Sequence, residues 1–560
     1  MKITPVKGRP MLHWVGKRPI DTVNSYPAQL VETYNVENPE KEPTYNRFTD
    51  GPDLLFHGDN KEILSTLLVQ GFRGKIDLIY IDPPFDSGAD YARKVKLRGE
   101  KEDLEAEGHS VIEQTQYSDI WANDNYLQFM YERLILMREL LSEKGSLYLH
   151  CDWHKSHQLR CLLDEVFNHE NFVNEIIWCY TGPSRKNRFF PRKHDTIFFY
   201  GNRKDNIIFN ADEIKIPYKK QRTGTSKGSA FLQDDYEMDE EGKVPEDWWE
   251  LTTVGRKQNE LLDFPTQKTE ELLERIIKAS SNQDSIVLDC FVGSGTTAAV
   301  AEKLGRRWIA ADLNKGAIQT TIKRIQNCTD EPHGIAHYRV NNYDFQSEHE
   351  LKNIVISKYG VETDRKAAFF DGALNGTLVK IADLTKPLTR LDIQLIKDEL
   401  QNRPDEVRNI TVLCNGSEVG MQEELDRDNR IHPINKIIVQ DIQRDGVTTY
   451  SPAEADVKFE RNGESVTITI EDYMSPTILA RLDIDRTVFD EYIDDFRAQI
   501  DCILIDTDYT EEHFTIVESD MPEKKEDFVE GEYAVSLPHP DARVAVKIID
   551  MLGEETVVIE

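Results

Sequence analysis

Between residues 75 and 326, short apolar runs alternate with longer stretches in which apolar residues return every three or four positions. Residues 75–82 (KIDLIYID) predict a buried strand, and residues 125–141, with Leu127, Met130, Leu134, Met137 and Leu141 on one face, predict a helix. The pattern continues as strand 145–150, helix 157–167, and strands 172–180 and 195–200. After an interruption come helix 269–279, strand 285–290, helix 296–304, strand 308–312 and helix 317–326. Strands separated by helices of this length predict an α/β domain built on a mostly parallel sheet with helices on both faces.

The flanks have other patterns. Residues 1–50 carry Pro5, Pro10, Pro19, Pro27, Pro39 and Pro43 and are expected to form an extended arm. The interruption, 201–262, is polar, basic in 201–228 and acidic in 234–250, and ends near Trp248-Trp249, a pair read as a packing anchor. Residues 351–560 form an acidic, mixed α/β region of one or two domains, with strands expected at 378–382, 410–413, 436–439 and 466–470 and a helix at 390–400.

At 560 residues the chain exceeds one core, and its 39% hydrophobic content suffices to build several. The formal charge of −33 argues against simple coating of nucleic acid. That charge is uneven, about −11 in residues 1–350 and about −22 beyond. The first part holds basic clusters at Arg93, Lys94, Lys96 and Arg98, at Arg185, Lys186, Arg188, Arg192 and Lys193, and at Lys215, Lys219, Lys220, Arg222 and Lys227. Singly each is ordinary solvated surface. Together, two of them beside aromatics (Phe189-Phe190 and Tyr218), they fit a phosphate-contacting groove. Seven scattered cysteines form no CxxC pair, and the chain start lacks an apolar leader, so a reducing cytoplasm is expected. No apolar run is long enough to span a membrane. His150, His154 and His157 lie close together but lack a carboxylate at ligand spacing beyond Asp152, so no metal site is expected.

Two motifs carry candidate chemistry. Asp82-Pro83-Pro84-Phe85 directly follows a strand, and two prolines end that strand rigidly because neither donates to the sheet. Asp82 is thereby placed at the carboxyl edge of a parallel sheet, where ligands of such sheets bind. The second motif, residues 287–297 (VLDCFVGSGTT), runs from a strand through a glycine-rich turn into a helix. It lacks the third glycine of the dinucleotide fingerprint and the Gly-Lys-Ser/Thr of a phosphate loop. The following strand ends in Asp312, where an acceptor for a ribose diol belongs.

Asp-Pro-Pro-Phe followed by Asp-x-Phe-x-Gly-x-Gly-Thr-Thr resembles the S-adenosylmethionine-dependent amino DNA methyltransferases. With the catalytic motif first, the order is similar to the circularly permuted β class, which includes modification subunits of type III restriction–modification systems and solitary adenine methylases. The resemblance spans roughly residues 52–345 and extends to Gly58-Asp59-Asn60, to 145–152 (GSLYLHCD) and to Phe264-Pro265-Thr266-Gln267-Lys268. The chain departs from the family pattern at Thr269, Cys290, Val292 and Ala311, keeping every carboxylate, motif glycine and the Asp-Pro-Pro-Phe aromatic.

The resemblance implies a Rossmann-like methyltransferase domain over 51–345, with a catalytic half (51–200), a target-recognition insertion (201–262) and a cofactor half (263–345). It implies S-adenosylmethionine as cofactor and adenine N6 in double-stranded DNA as target. Asp82 and the Pro83 carbonyl would accept from the amine, the prolines fixing that carbonyl, and Phe85 would stack on a flipped base. Phe291, Gly293 and Gly295 would wrap the methionine part of the cofactor, with Asp289 near its amino group, and Thr296 would also bind the cofactor. Asp312 would take the ribose hydroxyls, Asp59 the adenine end and Lys268 the carboxylate. Cytosine N4 is the near alternative; Asp rather than Ser before the prolines favours adenine. A subunit active only with a nuclease or helicase partner of a defence system is another alternative, motivated by the acidic tail. A homodimer is common in the family. A nicotinamide dehydrogenase leaves Asp-Pro-Pro-Phe unexplained.

Overall fold

The computed structural model describes residues 11–36, 43–85, 90–98, 111–118, 125–180, 188–218, 242–252, 262–329, 333–340, 352–382, 388–414, 421–441, 453–479 and 495–560, apart from scattered positions inside those ranges. The chain divides into two units, one of residues 1–342, 455–473 and 493–560, the other of 343–454 and 474–492.

The first unit is organised by an eleven-stranded sheet. In chain order its strands are β1 (Ala28–Tyr34), β2 (Asp53–His57), β3 (Ile76–Ile81), β6 (Leu141–Cys151), β7 (Phe172–Cys179), β8 (His194–Gly201), β9 (Trp248–Glu250), β10 (Ile286–Asp289), β11 (Arg307–Asp312), β12 (Ile335–Val340) and β20 (Phe514–Ile516). They lie in the order β20-β1-β12-β2-β11-β10-β3-β6-β8-β7-β9, and the six from β12 to β6 are mutually parallel. Alternation along each strand sends residues to opposite faces. Leu54, Phe56, Ile79, Ile81 and Leu288 meet helices α2 (Asn60–Val69), α3 (Asn125–Leu140) and α4 (Ser156–Leu163) in one core. Leu55, Leu78, Tyr80, Val287 and Trp308 meet α5 (Glu270–Ser280), α6 (Thr296–Lys303) and α7 (Lys315–Gln326) in another. Helices therefore cover both faces, as the near-continuous apolar strands require.

Two expected boundaries need correction. Residues 28–34, expected in an extended arm, form β1, antiparallel to β12 and parallel to β20. The proline spacing concealed a seven-residue strand lying between Pro27 and Pro39. Residues 455–473 and 493–560, expected in a separate acidic region, group with the sheet unit. Cys502, Leu504, Phe514, Ile516, Ala545 and Ile549 complete the α7-side core, and the Lys547 ammonium pairs with Glu32 of β1. Net charge over a segment does not report where its apolar residues go.

The second unit has its own four-stranded sheet, β13 (Gly372–Leu374), β14 (Thr377–Ile381), β15 (Ile410–Cys414) and β16 (Ile437–Asp441), parallel from β14 to β16. Helix Arg390–Gln401 begins in a capping box between Thr389 and Asp392 and helps close a core with Phe370, Leu378, Val412 and Leu425.

Candidate active site

Strand β3 delivers Asp82 to the carboxyl edge of the sheet, next to the end of β10. Asp82 Oδ2 takes an ion pair from Lys268 Nζ, which also donates to the Thr266 carbonyl at 3.3 Å. Asp82 Oδ1 is buried and has no hydrogen-bond partner among the described residues. The same Lys268 ammonium stands 5.5 Å from the Phe85 ring centre.

Phe85 rests on a fixed support. Its ring stacks on His150 of β6, centroids 6.2 Å apart and planes 28° from parallel. His150 is fully buried, with Nδ1 3.0 Å from the Tyr80 hydroxyl and Nε2 3.2 Å from Asp195 Oδ2. A carboxylate only accepts, so Nε2 donates to Asp195, and in the neutral imidazole Nδ1 then accepts from the Tyr80 hydroxyl. Tyr180 donates to the other Asp195 oxygen at 3.2 Å. Burial pushes the Asp195 carboxyl up, but the His150 and Tyr180 hydrogen bonds and the Lys268 charge hold it below the usual range. Burial also raises the Tyr80 hydroxyl well above its ordinary value. This relay locks the aromatic floor in one orientation.

The glycine-rich turn joins β10 to α6. Asp289 clamps it from both ends, accepting from the Phe291 N–H at 2.9 Å and the Thr297 hydroxyl at 2.6 Å. Gly293 and Gly295 have φ of +52° and +77°, values that bring the turn's N–H groups inward. The Gly293 N–H reaches Asp312 Oδ2 at 2.9 Å, and the Asn314 N–H reaches Oδ1 at 2.9 Å. Burial pushes the Asp289 carboxyl up to about 7; the Thr297 and Phe291 bonds oppose this, and the charges of Asp82 and Asp312 add to it. Burial raises Asp312 as well.

Asp59 caps α2 by accepting from the Lys61 N–H at 2.7 Å, and Arg133 binds both of its oxygens at 2.8 and 2.9 Å. Asn60 then donates to the Cys290 carbonyl at 3.0 Å, linking Asp59 to the glycine turn. Because β2, β11, β10 and β3 are adjacent, Asp59, Asp312, Asp289 and Asp82 share one sheet edge. Thr296 is placed differently from its expected role. Its buried hydroxyl donates to the Lys268 carbonyl at 3.3 Å and accepts from Arg324 at 2.8 Å, fastening the turn to the segment that leads into α5.

Sequence reasoning missed Arg133, Asn60 and Phe129, whose ring meets Phe291 edge-on at 6.1 Å. Arg133 left a signal: a charge sharing the helix face of Tyr126, Met130, Leu134 and Met137. The basic clusters fare unevenly. Arg98 is 5% exposed and donates to the Ile500, Asp501, Pro522 and Asp527 carbonyls and the Asp501 carboxylate, so it braces the fold and faces no phosphate. Arg93, Lys94 and Lys96 lie in strand Asp90–Lys96, with side chains outside the described residues. Arg185, Lys186, Phe189, Lys219, Lys220, Arg222 and Lys227 also lie outside them. Lys215 pairs with Asp212, Arg192 stacks on Trp153 at 3.6 Å, and Phe190 is 95% exposed. Trp249 is buried in the α5-side core, as a packing anchor should be, while Trp248 is half-exposed.

A family model described as a DNA methylase matches residues 76–323, the stretch holding Asp82 and the glycine turn. The chain is 28% identical over 339 residues to the type II methyltransferase M.EcaI of Enterobacter cloacae, covering 49% of this chain and 69% of the relative. It is 26% identical over 286 residues to the DNA adenine methyltransferase YhdJ of Escherichia coli strain K12, covering 51% and 85%. With the type II methyltransferase M1.MboII of Moraxella bovis it shares 32% identity over 203 residues, covering 34% of this chain and 76% of the relative. With its motifs gathered on one sheet edge and these likenesses over the same residues, the chain belongs to the N6/N4 DNA methylase family.

Proposed function

We propose that the chain transfers a methyl group from S-adenosylmethionine to the N6 amine of adenine in duplex DNA, in a restriction–modification or phage-defence setting. The observation that carries this reading is Asp82 Oδ1, a buried acceptor without a partner among the described residues, on the same sheet edge as the glycine turn. The residues fit the cofactor: crowding among Asp82, Asp289 and Asp312 is relieved by a cation, and a sulfonium with an amino group is cationic.

Bound S-adenosylmethionine supplies an activated methyl group; the rest is positioning. The adenine amine is a weak nucleophile because its lone pair is delocalised into the ring. Asp82 Oδ1 and the Pro83 carbonyl accept its two N–H bonds, which favours a pyramidal nitrogen and frees the lone pair. The target is paired inside the duplex, so the base must leave the stack, and Phe85 on its His150 support is the surface it stacks upon. The Lys268 ammonium has three donors, two of them spent on Asp82 and Thr266, leaving the third for the cofactor carboxylate. Asp rather than Ser before the prolines, and the likeness to an adenine methyltransferase, favour adenine over cytosine.

Incubating DNA with the protein and labelled cofactor, then digesting to nucleosides, is expected to give N6-methyladenine. Methylcytosine without methyladenine would overturn the choice of base, and label in neither base would overturn the reading.

Asp289 gives this reaction a pH signature. A carboxyl raised to about 7 by burial holds a proton in the folded chain that the unfolded chain releases near 4, so its contribution to stability falls as pH rises between those values. A bound cation favours the ionised form. Cofactor affinity is therefore expected to rise with pH up to about 7 and then level off, and calorimetric titration of Asp289→Asn should show a flatter profile.

A further inference from the structure

At the opposite edge of the sheet, three potential metal ligands converge. Asp53 opens β2, Glu302 lies in the last turn of α6, and His333 stands two residues before β12. One ligand atom from each lies within 4.8 Å of the other two. Their separations in sequence, 249 and 31 positions, gave no ligand spacing to read.

The second observation is an orphaned oxygen. Asp53 is fully buried, and Oδ2 has no hydrogen-bond partner among the described residues. Oδ1 accepts from Arg307 Nε at 2.7 Å and from the Trp308 N–H at 3.1 Å. Arg307 has no donor to spare for Oδ2, because its remaining groups bind the Phe48, Thr49, Gly51 and Pro52 carbonyls. Leaving a buried acceptor unpaired costs about 1–3 kcal/mol, more for a charged one. Glu302 is itself 4% exposed, with Oε2 on the Trp308 indole at 2.8 Å and Oε1 beside His333 Nδ1 at 2.9 Å. The guanidinium of Arg307 thus serves Asp53 alone, and Glu302 is held by the Trp308 indole and by the His333 N–H at 2.7 Å.

We propose that Asp53, Glu302 and His333 bind a divalent first-row cation, Zn²⁺ or Mn²⁺, with water completing the coordination. Two carboxylates and one imidazole form a donor set these ions accept, and a third charged group of opposite sign is what the orphaned Oδ2 lacks. His333 is 53% exposed, which gives the ion its route in and the water its place. The backbone is already held: the Asp53 N–H donates to the Gly334 carbonyl at 2.8 Å, and a Cβ on Gly334 would lie 2.7 Å from the Asn35 carbonyl oxygen. The five residues of β2 advance about 16 Å, so this ion sits a strand's length from the Asp82 edge. Its work is to tie the starts of β2 and β12 to the end of α6, and methyl transfer does not pass through it.

The test uses the full chain without an affinity tag, stripped by chelator and titrated calorimetrically with Zn²⁺ alone. One ion per chain is expected, with a rise in melting temperature. His333→Ala, an exposed position that leaves the core intact, is expected to weaken binding about tenfold or more and abolish that rise, with methyl transfer unchanged. Asp53→Asn is expected to weaken binding likewise while keeping the Trp308 contact. No saturable binding overturns the proposal, and so does binding that persists undiminished in His333→Ala, which would place the ion elsewhere, for instance on the exposed Cys161.

Discussion

Alanine at Asp82 is expected to lower methyl transfer by about a hundredfold to a thousandfold, the usual consequence of deleting one aligned polar contact to a transition state. S-adenosylmethionine binding should change little, because the glycine turn is held by Asp289 and Asp312 and not by Asp82. Alanine also strips Lys268 of its ion pair in a nearly buried setting, so part of the loss could be structural. Asp82→Asn separates the two effects. The amide keeps the volume and can still present its oxygen to Lys268, but it then offers an N–H₂ where the amine needs an acceptor. Asparagine should therefore lose almost as much turnover as alanine with a near-native melting temperature. Transfer of labelled methyl to DNA and calorimetry of cofactor binding check both halves. An asparagine variant that retains most of its turnover would sink the acceptor mechanism.

What could be read from the chain was what local pattern encodes. Strands β3, β10 and β11 are short apolar runs; β10 and β11 end in Asp289 and Asp312, and Asp82 directly follows β3. Pairing across long separations is another matter. That Lys268 contacts Asp82, 186 positions away, follows from β10 lying beside β3, and no local period reports that adjacency. Thr296 stands at the helix start as expected, yet its hydroxyl turns toward Arg324 and the Lys268 carbonyl, a direction fixed by the packing of α7 against α6. The acidic tail misled for the same reason. Acidic residues outnumber basic ones there and set its charge, while six apolar residues decide that it completes the sheet unit.

The turn itself tolerates almost nothing at Gly295. Alanine there is expected to weaken S-adenosylmethionine binding by about tenfold or more, equivalent to roughly 1.4 kcal/mol or above. Two independent causes act. A non-glycine residue at φ +77° is held in the left-handed region at a cost of about 1–3 kcal/mol. The added Cβ would also lie 2.9 Å from Thr321 Oγ1 and 3.0 Å from Thr321 Cα. Neither neighbour gives way easily, since Thr321 is fully buried within α7. Relief must come from the turn, which would carry the Gly293 N–H away from Asp312. Gly293→Trp is expected to block the cofactor by bulk instead, leaving the α6–α7 contact alone. Combining Gly295→Ala with Thr321→Ala discriminates between the two causes at Gly295. The second change removes the hydroxyl but keeps the 3.0 Å approach to Cα and the strained φ, so affinity should recover only in part. Full recovery in the double variant, measured by calorimetric titration, would show that backbone conformation contributes nothing and that only the hydroxyl stood in the way.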